Sequence, residues 1–267
     1  MKIIHIWRYF SPLQKLGMII LVGLFAFGFL QPWYYPVDGA AQNLNAILQG
    51  SSRLHWFGTD HFGRDMLSRI AAAIRLSLGM VVVSVGLALV FGLLAGIVAS
   101  LGTLYDKVLS FICDVIMALP GLLFVLLFAA IAPNSFWALY LGIALVMWVE
   151  FFKMARAIAK TLATSPQLES SRLMDMGFWY CIKRHYLPSL LPMLLPLAAY
   201  GAGNAILALA TLGFINVGLR PPTAELGLMM TELFAYYYQA PWIFVQPIIV
   251  TLLLVLSFHL LSGNTQS

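Results

Sequence analysis

From Leu76 to Tyr105 this chain carries no Asp, Glu, Lys or Arg, and four other stretches are as bare or nearly so. Leu16–Val37, Tyr186–Leu219 and Leu233–Ser267 lack those charges entirely, and Val108–Val149 contains only Asp114. An apolar helix needs about 20 residues to cross the hydrocarbon core of a bilayer, so each stretch is long enough to span a membrane and one is long enough to span it twice. Composition agrees. Charged residues make up 9% of the chain and hydrophobic ones 61%, whereas a soluble domain carries roughly 25% charged residues. These features define an all-α membrane protein, a single transmembrane domain over 1–267.

The spans fall at about 17–35, 78–101, 108–131, 136–153, 189–212 and 241–261, with Ala132-Pro133-Asn134-Ser135 as the turn between the third and fourth. Lys2, Arg8 and Lys15 precede the first span without a small-residue cleavage site after it, which reads as a retained helix rather than a signal peptide. Lys and Arg concentrate on the cytoplasmic side of multi-pass proteins. With the N-terminus inside, the cytoplasm receives Lys2, Arg8, Lys15, Lys107, Lys153, Arg156, Lys160, Arg172, Lys183 and Arg184. The outside receives Arg53, Arg64, Arg69, Arg75 and Arg220. The bias places both termini inside. Four outer arginines crowd into 53–75, where Asp60 and Asp65 partly offset them.

Three connections are too long to be simple turns: 36–77 outside, 154–188 inside and 213–240 outside. In the inner one, residues 164–188 read as two short helices. Thr164 or Ser165 caps the first, with Pro166 near its first position. Gly177 supplies a left-handed break, and the second helix runs from Phe178 until Pro188 stops it, with Lys183 and Arg184 near its C-terminal end. Such a pair either offers a rigid knob to a soluble partner or is an unpartnered surface loop.

In the outer segment, Asp60 is placed to cap a helix with Phe62, Met66, Ile70 and Ala73 on one face and Arg64, Ser68, Ala71 and Arg75 on the other. Asp65 and Arg69, four apart, can pair. This describes an interfacial helix with arginines reaching to water. An acid–base reading of His61 with Asp65 has no nucleophile or metal constellation beside it.

The inner segment resembles the coupling loop of ATP-driven importer permeases, whose pattern is Glu-Ala-Ala, three residues, Gly, nine residues, Ile, any residue, Leu-Pro. Glu169, Ser170 and Ser171 take the first three places, Asp175 the Gly, His185 the Ile, and Leu187-Pro188 the end, without a gap. With Gly177 and Arg184, these are the residues that the resemblance implies for seating an ATPase subunit. The outer segment is similar to a second pattern, from the C-type permeases of the dipeptide, oligopeptide and nickel importer family. Gly58, Thr59, Asp60, Gly63, Arg64, Asp65, Ser68 and Arg69 match it, with Phe57 in place of a leading Leu. A third similarity runs through Gly218-Leu219-Arg220-Pro221-Pro222-Thr223 to Glu225, Gly227 and Met229.

The resemblance implies a type I importer permease fold, a second homologous permease, one or two ATPase subunits that bind ATP and Mg, and a periplasmic or lipid-anchored substrate-binding protein. It implies no cofactor or metal held by this chain, no nucleic acid, and an inner-membrane location in contact with lipid. The chain has no Gly-Lys dipeptide, hence no usual P-loop. Asp114 and Asn204 are the candidate gate or pathway residues, because an intramembrane carboxylate is a functional site by default. Asn204 lies among Gly201, Gly203 and Ala205, and Gly92 and Gly96 form a similar small-residue face, for which helix packing is the simpler expectation. A short N-terminus and His55-Trp56 lean towards nickel or a metal–chelator complex as cargo, with a di- or oligopeptide as the alternative. An intramembrane enzyme or redox subunit would need paired histidines or a carboxylate cluster, and the pattern supplies neither.

Overall fold

The computed structural model describes residues 10–263; Lys2, His5, Arg8 and Asn264 lie outside the described residues. These fold into α1 (Pro12–Tyr34), α2 (Met66–Ala99), α3 (Thr103–Met117), α4 (Gly121–Ile131), α5 (Phe136–Ala163), α6 (Pro166–Leu173), α7 (Phe178–Phe214), α8 (Leu226–Phe234) and α9 (Pro241–Ser262). Among the described residues the β-type pairing is one isolated bridge, Thr59 to Asp65.

Five helices are individually long and apolar enough to span a membrane, and α3 with α4, a pair bent by 82°, makes a sixth when the two are taken as one broken span. A straight third helix over 108–131 is therefore not what forms. Pro120, at the break, has no amide hydrogen to donate and disfavours helical geometry at Leu119 before it; it becomes the N-terminal flank of α4 instead. α2 holds 34 residues, about 50 Å at 1.5 Å per residue, against a hydrocarbon core of about 30 Å. Residues 66–75, expected as a separate surface helix, are its first turns.

Side-chain bonds sort the connections onto two faces. On one, Gln14 Nε2 donates to the Gly263 carbonyl at 2.6 Å, the hydroxyls of Ser100 and Tyr186 lie 3.3 Å apart, and Asp106 takes Arg156 and Lys160. On the other, Arg64 and Arg69 reach Glu232, Arg220 N donates to Asn134 Oδ1 at 3.1 Å, and Gln246 Nε2 donates to the Phe57 carbonyl at 2.9 Å. The start of α1, the 100–107 turn, α6 and the end of α9 share the first face. The 35–65 segment, the 132–135 turn and 215–240 share the second. With the bent pair counted as one span, the described helices make six crossings, and both ends of the helical bundle lie on one face.

The core is the seam between α2 and α5. A Cβ at Gly96 would lie 2.5 Å from Ala155 Cβ and 2.7 Å from Arg156 N, and one at Gly92 would overlap Phe151. Without a hydrophobic drive between helices in lipid, such backbone proximity is what holds spans together. The small-residue faces therefore serve packing, as expected. Gly201 and Gly203 likewise abut Met147 and His259.

Candidate functional site

Two structured assemblies stand out, one on each face. One begins with α6, whose first turn Ser165 caps by accepting from Leu168 N at 3.4 Å, with Pro166 at the first helical position. Leu168, fully buried, anchors α6 to the bundle beside Cys181, Ile182 and Tyr186. After Leu173 the chain reverses through Asp175, which holds φ at +53°, whereas Gly177 sits at φ −59°. The left-handed residue is therefore Asp175 and not Gly177. Asp is among the residues that tolerate this geometry, so it supplies the turn at the place where the family pattern has Gly. The N-cap of the next helix is Gly177, with no side-chain bond from Asp175.

Pro188 does not stop that helix. α7 continues from Phe178 to Phe214 because residues Ile182–Tyr186 form one π turn, in which Leu187 N donates to the Ile182 carbonyl. Widening the turn removes the clash that a proline ring would make with the carbonyl four residues back. Lys183 and Arg184 consequently sit inside a long helix rather than at a C-terminus.

The turn lifts Leu173, Met174 and Trp179 into solvent, 83%, 63% and 77% exposed. Glu169, Ser170 and Arg184 are exposed beside them, Ser170 Oγ donating back to the Pro166 carbonyl at 2.8 Å. Ser171 is buried and bonded to half-buried His185, Oγ to Nε2, at 2.9 Å. Leu187 and Pro188 follow at the root, and Tyr186, buried, contacts Ser100 at the end of α2. The result is a rigid knob with an apolar crest, fixed at its root to α2.

On the other face, the 35–65 segment is a folded clasp, with Arg53 exposed but Arg64 buried. Gly58 and Gly63 take φ of +80° and +69°, and a Cβ on either would collide with the carbonyl of Gln49 or Asn43. Thr59 Oγ1 donates to the Ala46 carbonyl and accepts from Gln49 N at 2.9 Å. Asp60 Oδ1 accepts from Phe62 N at 2.8 Å and Arg64 N at 2.9 Å, so it closes a turn and does not cap a helix. Asp65 is the cap of α2, accepting from Ser68 N at 2.9 Å. Its other oxygen takes the Tyr35 hydroxyl at 2.8 Å and His55 Nδ1 at 2.9 Å.

The Asp65–Arg69 pair does not form. Arg69 Nε lies 3.5 Å from Asp60 and its Nη2 is 2.7 Å from Glu232, while Arg64 Nε is 2.5 Å from Asp60. Both arginines are 1% exposed. They do not reach to water, because two carboxylates balance them in the interior. Asp65's partner is His55, not His61. Burial pushes the His61 imidazole below its ordinary pKa, against the raising effect of Asp60 and Glu232.

The pathway candidates are not brought together. Asp114 is exposed on α3 and Asn204 half-buried on α7. Glu232, Tyr35, Ser100 and Tyr186 were not singled out from sequence; Glu225 was, as part of the third similarity, but not as a cap. Glu232 had a signal: outer arginines in excess of Asp60 and Asp65 call for further acids on that face.

A family model described as binding-protein-dependent transport system inner membrane component matches residues 88–265, well over half of the chain. The chain belongs to that family. It is 31% identical over 267 residues to the dipeptide transport system permease protein of Haemophilus influenzae, covering 97% of this chain and 90% of that one. It is 30% identical over 247 residues to the nickel transport system permease protein of Escherichia coli K12, covering 92% and 89%. The glutathione transport system permease protein of Pectobacterium atrosepticum is 30% identical over 252 residues, covering 93% and 83%. Recognition of a C-type permease of the dipeptide, oligopeptide and nickel branch, with its helical importer fold, is thus correct. As an inner membrane transport component, this permease is a multi-pass membrane subunit of a transport system, and its clasp lies within the alignments to all three relatives.

Proposed function

We propose that this permease forms one half of the translocation pathway of an ATP-driven importer and that the α6–α7 knob is the seat of its ATPase subunit. The observation that carries this reading is the exposed crest of Leu173, Met174 and Trp179, held on a rigid turn and rooted through Tyr186 on α2. A large apolar crest facing water marks a docking surface. Closure of two nucleotide-binding subunits on ATP pulls the knob, and the rigid contacts at its root tilt α2 and α7 as one body between inward- and outward-open states. ATP and Mg are held by those partners. A homologous second permease completes the pore, and a periplasmic or lipid-anchored binding protein delivers cargo to the clasp face.

The face that bears the knob carries Lys15, Lys107, Lys153, Arg156, Lys160, Arg172, Lys183 and Arg184. The excess of basic residues there supports a cytoplasmic knob, with both chain termini on that side.

The cargo is a small solute of the nickel, metal–chelator or short-peptide class. His55 and Trp56, the residues that favoured nickel, have work in the clasp: His55 bonds Asp65 and Trp56 packs 5.1 Å from the Tyr35 ring. They therefore favour nickel no more than a peptide. Uptake of labelled nickel and of labelled dipeptide in a strain lacking the gene separates the two cargos.

The test of the coupling role is Glu169→Lys, with Trp179→Ala beside it. Both variants insert in the membrane at normal levels, and both abolish ATP-driven uptake and co-purification with the ATPase. Wild-type uptake in both would remove the knob from the mechanism.

A further inference from the structure

Ser171 and His185 hold the two arms of the knob together. They are 14 residues apart, one on the last turn of α6 and the other on the π turn of α7, and Ser171 Oγ meets His185 Nε2 at 2.9 Å. Ser171 is 6% exposed. Among the described residues theirs is the side-chain-to-side-chain hydrogen bond between the arms; the nearby backbone bond, Met176 N to the Ser171 carbonyl, lies within the turn itself. Both residues replace apolar ones of the family pattern, Ser171 an Ala and His185 an Ile. Either replacement alone puts a polar group into a buried contact without a partner, which costs free energy, whereas the two together satisfy each other.

We infer that Ser171 and His185 are a mutually dependent pair of positioning residues that sets the angle of the apolar crest on α7, and so the efficiency with which ATP hydrolysis is coupled to the pore. The crest lies on the turn between the arms. α6 is pinned at one end by Leu168, and the Ser171–His185 bond pins it at the other. With both points fixed, Leu173 and Met174 have one orientation relative to Trp179. With the second point lost, α6 pivots about Leu168 and the crest no longer presents a single surface. This inference rests on the knob being the ATPase seat, and the experiment distinguishes the failure of each.

The test is a double-mutant cycle in the complete transporter, reconstituted with its ATPase and binding-protein subunits. The readouts are co-purification of the ATPase and release of inorganic phosphate from ATP, with and without the binding protein. Ser171→Ala and His185→Ile each reduce the binding-protein-stimulated rate by about fivefold to tenfold, as expected for one orphaned, partly buried polar group. The double variant returns to within about twofold of wild type, because the two changes are coupled rather than additive. Ser171→Thr, which keeps the hydroxyl, behaves as wild type.

A double variant that shows the product of the two single losses would overturn the pairing, as would Ser171→Thr behaving like Ser171→Ala. Failure of the wild-type chain itself to retain an ATPase would overturn the seat.

Discussion

Arg64 and Glu232 lie 168 positions apart in the chain, yet Arg64 Nη2 sits 3.0 Å from the Glu232 carboxylate. The same carboxylate oxygen takes Arg69 Nη2 at 2.7 Å, and Asp60 closes the set. Arg64, Arg69 and Asp60, all buried, and the half-buried Glu232 tie the segment before α2 and the first turn of α2 to α8, neutral as a group. This changes how the outer face is read. Two of the four arginines that argued against an outer location are internally neutralised and contribute no free positive charge.

Breaking one partner of a buried ionic group costs more than replacing both. Glu232→Ala leaves two guanidinium groups sharing Asp60 and should destabilise by about 3–5 kcal/mol. Arg69→Met combined with Glu232→Leu leaves the balanced Arg64–Asp60 pair and should recover most of that loss. Thermal unfolding of the detergent-solubilised protein checks both. Equal stability of Glu232→Ala and wild type would show that the cluster contributes nothing.

Glu225 gives the clasp face a pH dependence. It caps α8, accepting from Gly227 N at 2.9 Å and Leu228 N at 2.7 Å, but burial outweighs those bonds and pushes its carboxyl from the ordinary 4.5 up to about 7. The folded state therefore holds this proton more tightly than the unfolded one. Stability is greatest below the unfolded value, falls as pH rises from about 4.5 to about 7 and is flat beyond, by on the order of 3 kcal/mol in total. Glu225→Gln, which keeps one acceptor for the cap, should flatten melting temperature against pH across that window. A slope unchanged in Glu225→Gln would assign it to other groups.

Gly96 sets the distance between α2 and α5. Its missing side chain would need the space of Ala155 Cβ, 2.5 Å away, and of Arg156 N, 2.7 Å away. Gly96→Leu forces the two longest-packed spans apart, an overpacking cost of about 1–3 kcal/mol or more, and should lower both melting temperature and yield of folded protein. Gly79, which has nothing within 4 Å of an added Cβ, is the control: Gly79→Leu should leave both unchanged.

The spans were legible because lipid imposes one rule, about 20 apolar residues without charge, and the charge gaps state it directly. The 82° break was not, since Pro120 reads equally as a tolerated kink until the packing of α3 and α4 is known. Helical periodicity misled in the clasp. Phe62, Met66, Ile70 and Ala73 do share a spacing, but Gly63 at positive φ prevents any helix from including all four. Spacing also paired Asp65 with Arg69, because an i,i+4 rule sees only local partners, and the true partner of Arg69 lies 163 positions away on α8. In the knob, the helix–turn–helix outline and its cap were visible, while the π turn that lets α7 pass Pro188 was not, since no residue type marks it.

Asp175 tests the turn of the knob. Its φ of +53° costs a non-glycine residue about 1–2 kcal/mol, and its side chain is exposed, so replacement there changes the turn and the surface of the knob but no buried contact. Asp175→Val, β-branched and poorly suited to positive φ, should lower the stability of the knob and reduce stimulated ATP hydrolysis. Asp175→Gly should match or exceed wild type in both. If Asp175→Gly lost activity, the carboxylate rather than the turn would be what matters.

The assignment of sides is open to a direct test, because the bonds between connections fix which loops lie together but not which compartment they face. Gln42 lies in the clasp and Thr164 at the start of the knob, on opposite faces of the bundle. Reporter fusions at those two positions should therefore read opposite compartments whatever the absolute orientation. The excess of Lys and Arg on the knob face then predicts which: a periplasmic signal at Gln42 and a cytoplasmic one at Thr164. A fusion after Ile131 separates the remaining alternative. If the bent α3–α4 pair crosses the membrane, as the Arg220–Asn134 bond requires, that fusion reads the same side as Gln42; a re-entrant pair would read opposite to Gln42, would put Thr164 on Gln42's side and would reduce the crossings to five.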